Sequence, residues 1–324
     1  MKSVQFLAAL AAACALTGAA AAQVVGVATN PQGSLGYRTG IAVAKVITTQ
    51  TDIIARTQPM AGSTTYIPML NKGEIAFGFS NGPEITYAYT GTGTFKGRPN
   101  PNLRLIGTMF PLRAGMAVVA DSGLFKVSDL KRYKGKRVTS KYTSLSIIQD
   151  YIEAVLANAG LSYGDFKRVP VSGFAKGMFA LGQGKTDITW ISLGSGAGRK
   201  VMTQLRRRGG WRYLEIDTAP AAKARFKKLM PAAKIVLESN TKMPGIDKPI
   251  YIVQVQYNML TSKTMDAETV YKVTKALVQN QAMLAKSMGA FRRNKVKEMA
   301  TDTMAPYHPG ALRAYKELGI KVGM

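Results

Sequence analysis

Apolar positions along the chain follow two spacings. Strand-like apolar runs recur at residues 24–28, 75–79, 103–109, 116–120, 137–139, 166–171, 187–191, 213–216, 235–238 and 251–260. Between most of them the apolar residues recur with helical period. Leu35, Thr39, Ala42, Val43, Val46 and Ile47 share one face of a helix, as do Ile147, Ile148, Tyr151, Ile152, Val155 and Leu156. Strand and helix alternating in this way predict an α/β chain with parallel sheet and crossover helices, and about 300 residues suffice for two lobes.

The N-terminus departs from that pattern. Lys2 precedes an apolar stretch over residues 4–15 and a small-residue run ending at Ala22. These features predict an export signal over residues 1–22. The stretch is shorter than the roughly 20 apolar residues of a spanning helix. Cys14, the one cysteine, lies inside it. Export therefore brings no disulfide framework.

Charge changes the picture less than its size suggests. Against 18 Asp and Glu stand 44 Lys and Arg, a formal net charge of +26. Nucleic-acid binding needs basic residues gathered on one face with groove-reading or stacking elements. The single basic gathering, residues 199–234 with Arg206, Arg207 and Arg208, reads instead as a solvated surface. A charge of this sign also favours encounter with anionic lipid or solute.

The loops between strands and helices carry the candidate chemistry. In a sheet of this class ligands bind beyond the carboxyl ends of the strands, where helix N-termini offer unpaired N–H groups. Residues 29–40 form such a loop, with Ser34 as a candidate N-cap and Gly33 and Gly36 allowing close backbone approach. A tight turn with no ligand remains the alternative for this loop alone. Residues 60–65, 80–84, 140–144 and 192–196 repeat the character, although Pro68 predicts a kink or late start in the helix after the second.

Two motifs offer rival readings. Gly78-Phe79-Ser80-Asn81-Gly82 matches the nucleophile elbow of serine esterases, with Asp302 and His308 following in triad order. An α/β-hydrolase places several strands before its serine, whereas one clear strand precedes Ser80. Gly194-Ser195-Gly196 begins a dinucleotide fingerprint, but its third glycine is replaced by Arg199. One histidine and no clustered acids leave no metal site in view, and no cofactor is expected.

Several segments together resemble the TAXI-type solute receptors of tripartite ATP-independent periplasmic (TRAP) transporters. They are Ala28-Thr29 with Gly33, Gly36 and Tyr37; Gly62-Ser63 with Gly73-Glu74-Ile75-Ala76-Phe77; Asp121-Ser122-Gly123 through Lys134-Gly135-Lys136; and Tyr307-His308-Pro309-Gly310 with Tyr315. The resemblance implies a two-lobed periplasmic binding protein of type II fold with two hinge crossovers. Residues 23–112 and 249–324 would form the first lobe with its return, and residues 113–248 the second. It implies a non-enzymatic receptor that captures a small, carboxylate-bearing organic anion or amino-acid-like solute for integral membrane subunits. The ligand-facing residues it implies are Thr29, Gly33, Ser34, Tyr37, Gly62, Ser63, Ser80, Asn81, Tyr142, Thr143 and Ser144, with Ser192 and Gly194 near a further loop. Arg113 and Lys141 are the cations nearest these loops by sequence; Arg113 reads equally as a surface hinge residue. Tyr37 and Tyr142 are candidates to wall the ligand.

Overall fold

The computed structural model describes residues 22–301 and 304–323. Residues 1–21 of the expected export signal, and Asp302, fall outside the described residues. β1 (Gln23–Thr29) leads into α1 (Leu35–Gln50), which begins at Ser34 because the Ser34 hydroxyl accepts a hydrogen bond from the Tyr37 amide at 3.0 Å. The six α1 positions picked out by helical period are all buried. β2 (Ile53–Pro59) pairs with β1 in parallel. It carries no apolar run, since Ile53 is its one buried residue, and periodicity therefore gives no sign of it.

α2 (Ser63–Lys72) continues through Pro68, and β3 (Gly78–Asn81) follows it. β3 lies later than the predicted strand; Phe77 makes only an isolated bridge to Val27. α3 (Gly82–Thr90) has Asn81 as its N-cap, whose side chain accepts from the Glu84 amide at 3.1 Å. β4 (Leu103–Val119) is a single strand of 17 residues where two were predicted. At Pro111 β4 pairs only with Gln256 on one side, the situation in which a strand tolerates proline.

β5 (Arg137–Lys141), α4 (Ile147–Asn158), β6 (Lys167–Val171), α5 (Phe174–Gly182), β7 (Ile188–Ser192) and α6 (Gly196–Gln204) come next. β8 (Trp211–Tyr213), α7 (Pro220–Leu229) and β9 (Lys234–Glu238) lead to β10 (Ile250–Ser262). α8 (Ala267–Gln279), α9 (Gln281–Ser287) and α10 (Pro309–Glu317) close the chain.

The large sheet runs β3-β10-β4-β7-β5-β6, with β8 on β4 and β9 on β10. The expectation of parallel sheet holds for part of it. β5 pairs in parallel with β6 and β7, but β10 is antiparallel to β3, β4 and β9. Two long strands running in opposite directions have to pair antiparallel, and periodicity carries no direction.

β4 and β10 also divide the core. One cluster of buried apolar residues draws on Ala114 through Val255. Two others draw on the chain before Leu112 and after Val255, gathered around Phe77, Phe79, Phe110 and Tyr257 and around Tyr66, Ile67 and Leu105. Both long strands therefore pass from one packing unit to the other. No described helix is long and apolar enough to cross a membrane.

A closed candidate binding cavity between the packing units

The helix starts of the two units face each other across a gap that is shut. The Ala197 amide donates to the Gly33 carbonyl at 3.0 Å, and Arg38 Nη1 donates to the Gly194 carbonyl at 3.2 Å. The Ser146 amide donates to Thr64 Oγ1 at 3.2 Å, and Tyr151 Oη donates to Asn81 Oδ1 at 2.6 Å. Each bond joins an element of one unit to an element of the other.

Behind these contacts lies an enclosed cavity with about 40 Å³ of space for the centres of water-sized spheres. That is room for about three waters. On one side its wall is polar, built from Asn30, Ser34, Ser63, Ser80, Asn81 and Glu84 at the starts of α1, α2 and α3. The other side is largely apolar, with Leu145, Ile148, Phe174 and Trp190, and takes Tyr151 from α4 and Ser192 from the end of β7. β4 and β10 supply Leu112, Ala114, Val253, Val255 and Tyr257 at the junction. Four of the five loops singled out in the sequence contribute to this cavity; the fifth, through Thr143 and Ser144, lines a separate groove with Pro31 and Ala61, and Phe174 lines both.

Glu84 is the chemical centre of the polar wall. It is fully buried, and its Oε2 accepts from Ser63 Oγ at 2.6 Å, Ser80 Oγ at 2.5 Å and Asn81 Nδ2 at 3.2 Å. Oε1 has one long contact, to Thr64 Oγ1 at 3.4 Å. Burial raises its pKa above the ordinary range, against the pull of the Ser63, Ser80 and Thr64 hydroxyls. No described Lys or Arg forms an ion pair with it. Burial likewise pushes the phenols of Tyr66, Tyr151 and Tyr257 upward, so they stay protonated. Tyr66 donates to the Phe79 carbonyl and Tyr151 to Asn81, whereas the buried Tyr257 hydroxyl has no partner among the described residues.

The predicted site residues divide accordingly. Ser34, Ser63, Ser80, Asn81 and Ser192 line the cavity. Thr143 and Ser144 lie on the separate groove, where the Ser144 hydroxyl donates to the Ser172 carbonyl at 2.7 Å. Gly33 and Gly194 supply carbonyls to the contacts between units, and Gly62 packs against the Ser144 backbone. Thr29 is buried, its hydroxyl donating to the Asn30 carbonyl at 3.0 Å.

Four placements correct the sequence reading. Tyr37 is half-buried and does not face the cavity. Tyr142 is fully buried in the second unit, because a backbone φ of 45° turns its ring into the core, where its hydroxyl donates to Thr139 at 2.6 Å. Lys141, at φ 65°, is an exposed residue outside the cavity. Arg113 is engaged elsewhere, paired with the buried Glu238 at 2.9 Å and with Gln254 at 3.0 Å. The esterase reading also fails. Ser80 donates to Glu84, and His308 caps α10 with Nδ1 accepting from the Gly310 amide at 3.2 Å while Nε2 lies 3.1 Å from the Met265 carbonyl. With both ring nitrogens engaged, His308 is not available to Ser80.

Sequence reasoning passed over Glu84, Tyr151, Trp190 and Tyr257 as site residues. A signal for Glu84 was present: Asn81-Gly82-Pro83-Glu84 has the spacing of an N-cap answered by an acid three residues on. Among the described residues no cluster of His, Cys, Asp and Glu could hold a metal.

Several solved structures share this architecture. One described as a periplasmic transporter aligns over 93% of this chain and 94% of its own at 14% identity, with a TM-score of 0.58. PhnD1 from Prochlorococcus marinus, in complex with methylphosphonate, aligns over 92% and 99% at 14% identity and a TM-score of 0.55. The substrate-binding protein of an amino acid ABC transporter aligns over 84% and 100% at 12% identity and a TM-score of 0.51. At these identities the likeness is one of fold, and the fold is the α/β type II class expected from the sequence. The profile of the NMT1-like family matches residues 27–319, and the chain accordingly belongs to the NMT1-like family.

Proposed function

We propose that this protein is a periplasmic solute-binding protein. It captures a small solute in the cavity between two lobes, residues 23–112 with the return from 249 and residues 113–248, and delivers it unaltered to integral membrane subunits. The observation that carries the reading is convergence: helix starts from both packing units enclose one cavity whose wall holds a buried acid and an unpartnered phenol. A solute touching both walls favours the closed form by its differential affinity. The sequence resemblance supports a TRAP-type partner in the membrane and export by residues 1–22. A carboxylate on the solute is not part of the proposal, because the wall carries Glu84 and neither Lys nor Arg.

A thermal-shift screen over amino acids, organic acids, sulfonates, phosphonates, amines and polyols tests it. A true ligand at a hundredfold excess over its Kd stabilises the fold by about 2.7 kcal/mol. The solute recovered afterwards has an unchanged NMR spectrum. Chemical conversion of the solute, or no stabilisation by any class, would refute the reading.

A further inference from the structure

The cavity wall contains one carboxyl side chain, Glu84, and no Lys or Arg among the described residues pairs with it. Glu84 Oε2 is occupied by three donors at 2.5–3.2 Å, while Oε1 keeps acceptor capacity beside a single 3.4 Å contact. A carboxylate sealed from water without a counter-charge is costly, and a cation supplied by the solute would relieve that cost. The rings around it favour the same guest. Tyr151 stacks on Trp190 with centroids 5.6 Å apart, and Tyr257 stacks on Phe79 at 5.9 Å. All four aromatic residues line the cavity, and electron-rich ring faces attract ammonium groups.

A second, independent feature is the Tyr257 hydroxyl. Tyr257 is 4% exposed, its oxygen is buried and unpartnered, and it faces the start of α1, 2.7 Å from where a Cβ on Gly36 would lie. Such a hydroxyl is under-satisfied until a guest with a polar group arrives. The rest of the wall, Leu145, Ile148, Val253 and Val255, fits a short hydrocarbon.

We infer that the site selects a small solute carrying an ammonium group on a short apolar body, the ammonium seated against Glu84 and the aromatic faces, with Tyr257 completing its hydrogen bonds. The inference rests on the solute-binding reading and narrows its substrate class. A carboxylate guest would place a second negative charge beside Glu84 in a site without a cation.

Probes of similar size decide the point: the linear butylammonium, butyrate, butyramide and 1-butanol, with tetramethylammonium as a cation that has no N–H to donate, measured by thermal shift and calorimetry at constant ionic strength. The wild-type protein is expected to bind an ammonium probe at least tenfold more tightly than butyrate, and Glu84→Gln to bring that ratio close to one. Tyr257→Phe, which leaves the charge in place, should weaken butylammonium severalfold and keep the preference. If Glu84→Gln does not fold, the wild-type ratio and Tyr257→Phe still decide. Butyrate binding as well as butylammonium, or a preference that survives Glu84→Gln, overturns the inference. If none of the three charged probes binds but a solute of the wider screen does, the inference falls and the receptor reading stands. If no solute of any class binds, the receptor reading itself falls.

Discussion

Replacing Gly62 by Ala should hold the two units apart without damaging either one. Gly62 precedes α2 with φ 165° and ψ 174°, an extended conformation that alanine adopts freely. The obstacle is across the gap: a Cβ at this position would lie 2.0 Å from the Ser144 carbonyl oxygen and 2.7 Å from its carbon. Real Cβ atoms essentially never approach closer than 3.0 Å, so the gap must widen by at least 3.0 − 2.0 = 1.0 Å. That movement takes the 3.2 Å bond from the Ser146 amide to Thr64 out to about 4.2 Å, beyond hydrogen bonding. Losing that bond and the neighbouring contact between the Thr64 and Ser146 hydroxyls costs about 0.5–1.5 kcal/mol each. A closed form that kept both would instead carry about 1–3 kcal/mol of overpacking. Either route disfavours closure by about 1–3 kcal/mol, roughly 5- to 150-fold in the closing equilibrium. Small-angle scattering of the solute-free variant should show a larger radius of gyration, and calorimetry a weaker ligand in the same proportion, with unchanged far-UV circular dichroism. A wild-type radius of gyration together with wild-type affinity would refute the argument. So would an affinity loss matched by unfolding of one unit.

Arg113→Ala should destabilise the fold by about 3 kcal/mol, because it leaves the buried Glu238 carboxylate without its partner, yet leave ligand affinity within about twofold; denaturant unfolding and calorimetry separate the two effects. Tyr257→Phe should leave the solute-free protein as stable as the wild type or up to about 1 kcal/mol more stable, since the hydroxyl it removes is buried without a partner; a clear loss in chemical denaturation would contradict this. Asp150 has its pKa raised by burial and by Glu153 to about 6 from 3.8. Its folded form therefore binds the proton more tightly than the unfolded chain, so its stability contribution is whole below pH 3.8 and is lost as pH rises towards 6. Asp150→Asn should abolish that loss, which is at most about 3 kcal/mol at about 1.36 kcal/mol per pH unit and less where water reaches the carboxylate. Melting curves from pH 4 to 7 that fall in parallel for both proteins would rule it out.

Local chemistry made parts of this protein legible in its residues. The buried faces of α1 and α4 follow from apolar spacing, and the start of α1 follows from Ser34, because both depend only on neighbours a few positions away. The strand-to-helix loops are legible for the same reason, and with them the region where a site would form. Ser34, Ser63, Ser80, Asn81 and Ser192, which the family resemblance picked out within those loops, do line the cavity. β2 was not legible, since a polar edge strand has no apolar rhythm, and the union of two predicted strands into β4 depended on a partner, β10, about 150 residues away along the chain.

What the sequence by itself determined is therefore most of the strand runs, the inward faces of α1 and α4 and the loops that could hold a solute. Only the tertiary structure decided which side chains meet there. A φ of 45° carries Tyr142 into the core, an ion pair with Glu238 holds Arg113 away, and the antiparallel β3–β10 pair brings Tyr257 level with Asn81, three residues before Glu84. Periodicity fixes a residue relative to its own helix or strand. The position of one packing unit against the other depends on contacts between segments far apart in the chain, and those contacts decide that the cavity is lined by an acid and aromatic rings.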